Sequence, residues 1–161
     1  MSSKIKVSVI VTDQNDNILL LKEKVEKNDQ PLWNIIKGSY GDNKKETIFE
    51  AAKRECREET SIDVELIATT GCYLTEKQKG GYQLQFNFIG KIISGTPTIA
   101  NLNEQQSHNE CFTEVKWFDK KEVKNMPQKE FISKKIYIIV QDWLRGDNYP
   151  LSSFKQLKIK D

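Results

Sequence analysis

The chain has 161 residues and a formal net charge of +2, with 37% hydrophobic and 30% charged residues. This length predicts a single domain over residues 1–161, with a core at about 4–145 and a C-terminal tail at 146–161. The near-neutral charge provides no bulk electrostatic attraction for nucleic acid. Composition leaves a monomer and a homodimer equally open.

Membrane and secretory features are missing from the sequence. No apolar run approaches the ~20 residues that a membrane span needs, and the start MSSKIK lacks the apolar region of a signal peptide. The three cysteines are far apart and have no metal-ligand spacing: Cys56, Cys72 and Cys111. They are typical of reduced thiols, so we expect a cytoplasmic protein.

The N-terminal region predicts three strands. Residues 4–12 (KIKVSVIVT) are rich in β-branched side chains and alternate well enough for a strand. A polar turn cluster at 13–17 separates them from a second strand at 18–21. A third, short strand is expected at 32–36.

The next stretch, 38–62, contains the strongest helix signal. Thr47 and Glu50 have the spacing of a capping box, and the carboxylates of Glu46 and Glu50 favour the positive end of a helix dipole. An apolar stripe recurs at helical spacing: Ile48, Ala51, Ala52, Cys56 and Ile62.

Alternating patterns downstream predict further strands. Residues 63–74 indicate one or two strands with a bend at Gly71, and 82–89 alternate clearly. The aromatic face of 82–89 is expected in the core. Its opposite face is polar: Gln83, Gln85 and Asn87. The sequence leaves open whether this polar face lines a cleft or meets solvent.

A polar loop at 95–109 comes next, and long loops of this kind are either mobile or functional. Glu110 ends the loop, and 111–118 returns to strand. His108 is the only histidine, so a catalytic triad has little support. We expect it to be exposed, with a phosphate contact as the alternative.

The C-terminal region predicts a helical turn at 119–124 and an amphipathic helix at 130–145. The rival interpretation is a strand through 136–140. Gly146 is a good stop signal for the helix. The tail at 148–161 is expected to drape on the domain, form an edge strand or contact a partner.

The acidic end of the first helix admits two interpretations. Glu55, Glu58 and Glu59 stand in i, i+3 and i, i+4 relation, so their side chains meet on one face and repel. One interpretation is a solvated face paired with neighbouring basic residues. The other is a site for a hard cation such as Mg²⁺, which takes carboxylate oxygens and shares its shell with phosphates.

The stretch 38–62 as a whole resembles the Nudix box. That family pattern is glycine, five residues, Glu, seven residues, then Arg-Glu-U-x-Glu-Glu-x-Gly-U, where U is a bulky aliphatic residue. The spacing from Glu46 to Arg54 matches, as do the charged positions after it: Arg54, Glu55, Glu58 and Glu59. The flanks also resemble the family: Trp33, Ala51-Ala52 and Trp117.

The sequence departs from the pattern at three positions. Gly38 lies eight residues before Glu46 rather than six, so the loop is longer and a metal–carbonyl bond from Gly38 is in question. Cys56 replaces an aliphatic residue, a mild change because buried cysteine behaves as a small hydrophobe. Ser61 replaces the glycine that would end the helix in the left-handed conformation, at a cost of about 1 kcal/mol.

The resemblance implies an α/β fold, the Nudix α/β/α sandwich with a mixed β-sheet between helices. It also implies hydrolysis of a pyrophosphate bond in a nucleoside diphosphate linked to another group, by water attack on phosphorus with Mg²⁺ or Mn²⁺ as cofactor. Its partner would be a small-molecule nucleotide. A nucleoside triphosphate or a nucleotide sugar is the default substrate.

The same resemblance assigns roles to residues. The implied metal ligands are Glu55, Glu58, Glu59 and the carbonyl of Gly38. The implied catalytic set is Arg54, Glu55, Glu58 and Glu110. Within it Arg54 would orient a glutamate, and Glu46 would support the site from outside. The general base stays open among Glu55, Glu58 and Glu110, with Glu104 competing for the downstream position.

Other functions are weighed against this one. A Nudix-fold module that senses a nucleotide without cleaving it is left open by the longer loop and Ser61, although the intact glutamates argue against it. An isoprenoid diphosphate isomerase would need further metal-binding histidines beyond His108. An mRNA-decapping role has no support from charge or added domains.

Overall fold

The structure is a computed structural model that describes residues 4–41 and 45–160. Its strands are β1 (Lys4–Thr12), β2 (Ile18–Glu23), β3 (Leu32–Asn34), β4 (Ile36–Ser39), β5 (Asp63–Glu76), β6 (Tyr82–Ser94) and β7 (Phe112–Phe118). Its α-helices are α1 (Ile48–Thr60), α2 (Leu102–Ser107), α3 (Lys120–Asn125) and α4 (Lys134–Leu144). Within the described ranges, no helix is long and apolar enough to cross a membrane.

The seven strands form one mixed sheet. β1 lies at its centre, parallel to β6 and antiparallel to β2 and β4. β5 pairs with the outer side of β6, while β3 and β7 both pair with β2. The mixed pairing confirms the predicted sheet.

Two apolar layers cover the two faces of this sheet. Because side chains alternate along a strand, Val7 and Val9 of β1 pack toward Ala52 of α1, while Ile10 packs toward Ile136 of α4. All five side chains are buried. The sheet therefore lies between helices, which confirms the predicted α/β sandwich.

Helix α1 has the local structure that its sequence predicts. Thr47 accepts a hydrogen bond from the Glu50 backbone N–H, and the Glu50 carboxylate accepts one from the Thr47 N–H. Ser61 ends the helix in the left-handed conformation with φ 58°, and its N–H donates to the Arg57 carbonyl. Serine therefore replaces the family glycine without a change in backbone geometry.

One predicted element differs in the structure, whereas the amphipathic helix predicted at 130–145 is confirmed as α4. The loop at 95–109 contains α2, which begins after Asn101 caps the Glu104 N–H. The polar sequence of α2 buries only Gln105, so it has no apolar stripe to signal a helix. The strand interpretation of 136–140 is wrong, because these residues lie within α4, which Ser133 caps.

The polar face of β6 neither lines an open cleft nor meets solvent along most of its length. Gln85 and Asn87 are fully buried. The Ser8 hydroxyl donates to the Asn87 side-chain oxygen at 2.7 Å and accepts from the Gln85 amide at 2.9 Å. The Asn87 amide donates to the Thr70 hydroxyl at 2.7 Å. Lys135 of α4 donates to Gln83 at the start of this row.

The C-terminal tail drapes along the domain. Tyr149 forms a bridge with Thr69 on the outer side of β5, and Phe154 packs edge-on against Phe86 with ring centroids 5.0 Å apart. Further along, the Gln156 side chain accepts a hydrogen bond from the Ile48 N–H at 2.8 Å. The tail therefore reaches the beginning of α1.

A candidate active site in an acidic cleft

A cleft of about 530 Å³ lies where the acidic face of α1 meets β4 and the segment before β7. Five glutamates line it: Glu23, Glu55, Glu58, Glu59 and Glu110. Three of them come from α1, where the i, i+3 and i, i+4 spacing puts them on one face. The other two arrive from β2 and from the segment before β7.

Carboxylates from distant parts of the chain converge in this cleft. Glu55, Glu59 and Glu110 each offer an oxygen, and these oxygens all lie within 4.8 Å of one another. Glu55 is 6% exposed and Glu59 is 2% exposed, so water screens their repulsion poorly. The structure thus brings Glu110 to the helix glutamates, while the role predicted for it stays a prediction. Glu104, the competing candidate, is exposed on α2 and does not line the cleft.

Gln105 holds the segment that carries Glu110. Its backbone carbonyl accepts from the Glu110 N–H at 2.8 Å. Its buried side chain accepts from the Phe112 N–H and donates to the Ala100 carbonyl, both at 2.7 Å. The sequence analysis gave Gln105 no role, because a glutamine in a polar loop carries no signal of burial.

Burial and mutual repulsion raise the pKa values of the clustered carboxyls. Burial raises the pKa of Glu55, partly offset by the neighbouring Arg54. Burial, followed by the charges of Glu110 and Glu55, raises the pKa of Glu59 well above its ordinary value. Burial and the charge of Glu55 raise the pKa of Glu110 to about 7. The three carboxyls therefore resist being ionised together unless positive charge is added.

The donor set fits a hard divalent cation. Mg²⁺ and Mn²⁺ prefer carboxylate oxygens, which is what this cluster offers. The Oε2 atom of Glu59 is buried and has no hydrogen-bond partner among the described residues. A buried carboxylate oxygen left without a partner carries a substantial desolvation penalty that a bound cation would relieve.

Gly38 makes room for one of these carboxylates. A Cβ atom added at Gly38 would lie 1.9 Å from the carboxyl carbon of Glu55, far inside contact distance. Gly38 also lines the cleft. A glycine at position 38 therefore leaves the room that the Glu55 carboxylate occupies. Whether its carbonyl binds a metal stays a prediction.

Arg54 clamps the glutamates on the outer side of the cleft. Its Nε and Nη2 atoms donate to the two carboxylate oxygens of Glu46, each at 2.9 Å. Its Nη1 atom donates to Glu55 at 2.9 Å and to Glu58 at 3.1 Å. The hydrogen bonds to Glu46, followed by the charges of Glu55 and Glu58, raise the pKa of Arg54 above its ordinary value. Arg54 thereby fixes three carboxylates relative to β4, where it also donates to the Ser39 carbonyl.

The cleft has further walls that the sequence analysis did not assign. Glu23 accepts a hydrogen bond from the buried Asn34 amide at 2.8 Å. Lys6 and Lys37 line the cleft beside the glutamates. His108 is exposed, as expected, and borders the cleft. These residues come from separate strands and loops, so no spacing in the sequence links them.

Comparison with known proteins gives a consistent result. The NUDIX domain family matches residues 3–138. A NUDIX hydrolase from Nitrosomonas europaea is 22% identical with a TM-score of 0.76, and the match covers 97% of this chain and 98% of that chain. A MutT NUDIX hydrolase from Burkholderia pseudomallei is 17% identical with a TM-score of 0.67, and the match covers 88% and 98%. No curated protein matches the chain.

A third solved structure is the NUDIX domain of Shewanella oneidensis NrtR in complex with ADP-ribose. It is 13% identical with a TM-score of 0.68, over 91% of this chain and 89% of that chain. Identities this low establish a shared fold and no more. The family match, by contrast, spans most of the chain and includes the acidic helix. The chain therefore belongs to the NUDIX family, whose hydrolases cleave pyrophosphate linkages.

Proposed function

We propose that this protein hydrolyses a pyrophosphate bond in a nucleoside diphosphate linked to another group, with Mg²⁺ or Mn²⁺ as cofactor. The observation that carries the proposal is the convergence of Glu55, Glu59 and Glu110, whose oxygens lie within 4.8 Å in a cleft open to a small molecule. Carboxylates held this close repel one another, and a bound cation would relieve that repulsion. Membership of the NUDIX family, whose hydrolases cleave pyrophosphate linkages, supports this type of reaction.

The helix glutamates are the proposed metal ligands: Glu55, Glu58 and Glu59. Glu110 and the carbonyl of Gly38 complete the candidate set. A divalent cation bound there would supply the positive charge that offsets negative charge building on phosphoryl oxygens during the reaction. The surrounding low-dielectric walls would strengthen that effect.

Each remaining residue has a role that its contacts support. Arg54 holds Glu55 and Glu58 in place and is itself held by Glu46, so both act as positioning residues. A carboxylate must take the proton of the attacking water. Glu110 suits that task, because it borders the cleft beside Glu55 and Glu59. Glu55 and Glu58 are the other candidates for the base.

A small nucleotide is the proposed substrate, and a cleft of about 530 Å³ has room for one. A nucleoside triphosphate and a nucleotide sugar are both compatible with it. The NUDIX domain of Shewanella oneidensis NrtR binds ADP-ribose, which contains the same pyrophosphate linkage. ADP-ribose therefore belongs in any panel of trial substrates.

The test is Mg²⁺-dependent hydrolysis across nucleoside triphosphates, nucleotide sugars, ADP-ribose and dinucleoside polyphosphates. Glu58→Gln removes one carboxylate from the cleft, and Glu104→Gln is the matched control because Glu104 is exposed outside it. We expect Glu58→Gln to lower turnover about 100-fold or more and Glu104→Gln to leave it unchanged. Turnover that survives Glu58→Gln would refute the site. No turnover from the wild-type protein, together with measurable nucleotide binding, would instead support a nucleotide-sensing module.

A further inference from the structure

Two lysines, Lys6 and Lys37, line the acidic cleft, and a third, Lys135, lies on the neighbouring helix α4. Lys6 of β1 pairs in register with Ser39 of β4, and Lys37 of β4 pairs with Ser8 of β1. Directly paired residues point to the same face of a sheet, and this is the face that α4 covers. Lys135, in the first turn of α4, donates a hydrogen bond to Gln83 of β6, which shares this face with Gln85, the partner of Lys6.

These lysines affect one another electrostatically. Burial, followed by the positive charges of Lys37 and Lys6, lowers the pKa of Lys135 to about 8. Lys135 also lies at the N-terminal end of α4, where the helix dipole disfavours cations and where the first turn carries no acidic residue. An anion bound near Lys135 would relieve this repulsion.

Two of these lysines lie beside the glutamates. Lys6 and Lys37 line the cleft that holds Glu55 and Glu58. One cleft therefore has an acidic side, which suits a divalent cation, and a basic side that continues under α4. A phosphate chain bridging the two sides would satisfy both.

We propose that Lys6, Lys37 and Lys135 form an anion-binding wall that takes the phosphate oxygens of the substrate which the metal does not reach. This inference rests on the proposed function. An ammonium group is a compact point charge with three donors, well suited to phosphate oxygens whose position differs between substrates. The lysine wall thus neutralises one end of the phosphate chain, while a cation on the glutamates neutralises the other.

The experiment measures binding rather than turnover. The probe is inorganic imidodiphosphate with Mg²⁺, which has the charge of a pyrophosphate, resists cleavage of its P–N–P bridge and carries no base. Binding is followed by calorimetry for the wild-type protein, Lys135→Gln, Lys135→Arg and Lys134→Gln. Lys134→Gln is the matched control, because it removes the same charge one residue away at an exposed position.

We expect Lys135→Gln to raise Kd about tenfold or more, as for the loss of a charged hydrogen bond. Lys135→Arg should retain most of the affinity, and Lys134→Gln should stay within about twofold of the wild type. For whichever nucleotide the substrate panel identifies, Lys135→Gln should raise KM by a similar factor with a smaller change in kcat. Thermal unfolding checks that each variant folds.

Three outcomes would overturn the inference: no binding of the probe by the wild type, unchanged affinity in Lys135→Gln, or an equal loss in Lys134→Gln. These outcomes are distinct from a failure of the proposed function. If the protein hydrolyses nucleotides but binds the probe independently of Lys135, the proposed function stands and the lysine wall is refuted. If the protein hydrolyses none of the substrates yet binds the probe through Lys135, the lysine wall stands and the proposed function is refuted.

Discussion

The contact between Gly38 and Glu55 allows the site to be perturbed without perturbing the fold. In Gly38→Ala, the new Cβ would lie 1.9 Å from the carboxyl carbon and Oε1 of Glu55 and 2.4 Å from its Oε2. Ordinary contact begins at 3.4 Å, so the carboxylate must move by about 1.5 Å. The backbone of Gly38 lies outside the left-handed region, so alanine fits there without backbone strain.

The displaced group is the far end of a flexible side chain, so the change in the free energy of unfolding should be small. The effect on the site should be large. A displacement of about 1.5 Å is most of a metal–oxygen bond of about 2.1 Å and would remove Glu55 as a ligand. Misplacing a catalytic group by about 1 Å costs roughly 100-fold in rate. We therefore expect Mg²⁺ affinity and turnover to fall together, by about 100-fold for turnover.

Calorimetric titration with Mg²⁺ and thermal unfolding of the metal-free protein measure the two quantities separately. Gly90→Ala is the matched control, because Gly90 also lies in a strand outside the left-handed region, and its nearest neighbour is Val9 at 3.1 Å rather than a glutamate. A second variant, Gly38→Ala with Glu55→Asp, shortens the carboxylate side chain and should recover part of the metal affinity. Wild-type Mg²⁺ affinity in Gly38→Ala would refute the assignment of Glu55 as a ligand.

Three further predictions concern the groups around the cleft. The pKa of Glu110 is raised from 4.5 to about 7 by burial and Glu55, so the folded state binds its proton more tightly than the unfolded state does. Stability of the metal-free protein should therefore fall as pH rises from about 4.5 to about 7, and Glu110→Gln should flatten that slope in thermal unfolding. Gln105→Ala leaves the Phe112 N–H and the Ala100 carbonyl without a side-chain partner, so unfolding by denaturant should show a loss of about 2 kcal/mol, with lower turnover because Glu110 loses its anchor. Gln156→Ala removes the hydrogen bond to the Ile48 N–H and should lower the melting temperature by a few degrees, consistent with the loss of about 1 kcal/mol at a helix cap.

Specific results would contradict each of these three. A pH slope in Glu110→Gln as steep as that of the wild type would assign the titration to Glu55 or Glu59 instead. Unchanged turnover in Gln105→Ala would mean that Glu110 is held without its help. An unchanged melting temperature in Gln156→Ala, with Ser153→Ala as the control in the same exposed tail, would mean that the tail does not support α1.

Local features of the fold were predictable because their causes are local. The capping box of α1 needs only Thr47 and Glu50, and the left-handed Ser61 follows from the way the helix ends. The bend at Gly71, where φ is 132°, coincides with a register shift between β5 and β6. In each case the residues that determine the geometry are neighbours in sequence.

Features that depend on distant partners were not predictable in the same way. Gln85 and Asn87 alternate with aromatic residues, and the sequence left open whether they line a cleft or meet solvent, yet both are buried. Ser8, which bonds to both, lies 77 and 79 residues away from them. Helix α2 is a similar case, since the hydrogen bonds of Gln105 to Ala100 and Phe112 stabilise a segment whose polar sequence indicates a loop.

The acidic side of the cleft could be predicted from the sequence, whereas the basic side could not. The acidic side comes mainly from one helix, so its spacing of three and four residues is fixed by helix geometry before any tertiary contact forms. The basic side comes from β1, β4 and α4, and each lysine alone resembles an ordinary surface residue. Only strand register places Lys37 and Lys6 on one face, and only the packing of α4 brings Lys135 to them. A site built along one helix can be recognised by counting residues, whereas a site assembled across a sheet requires the register.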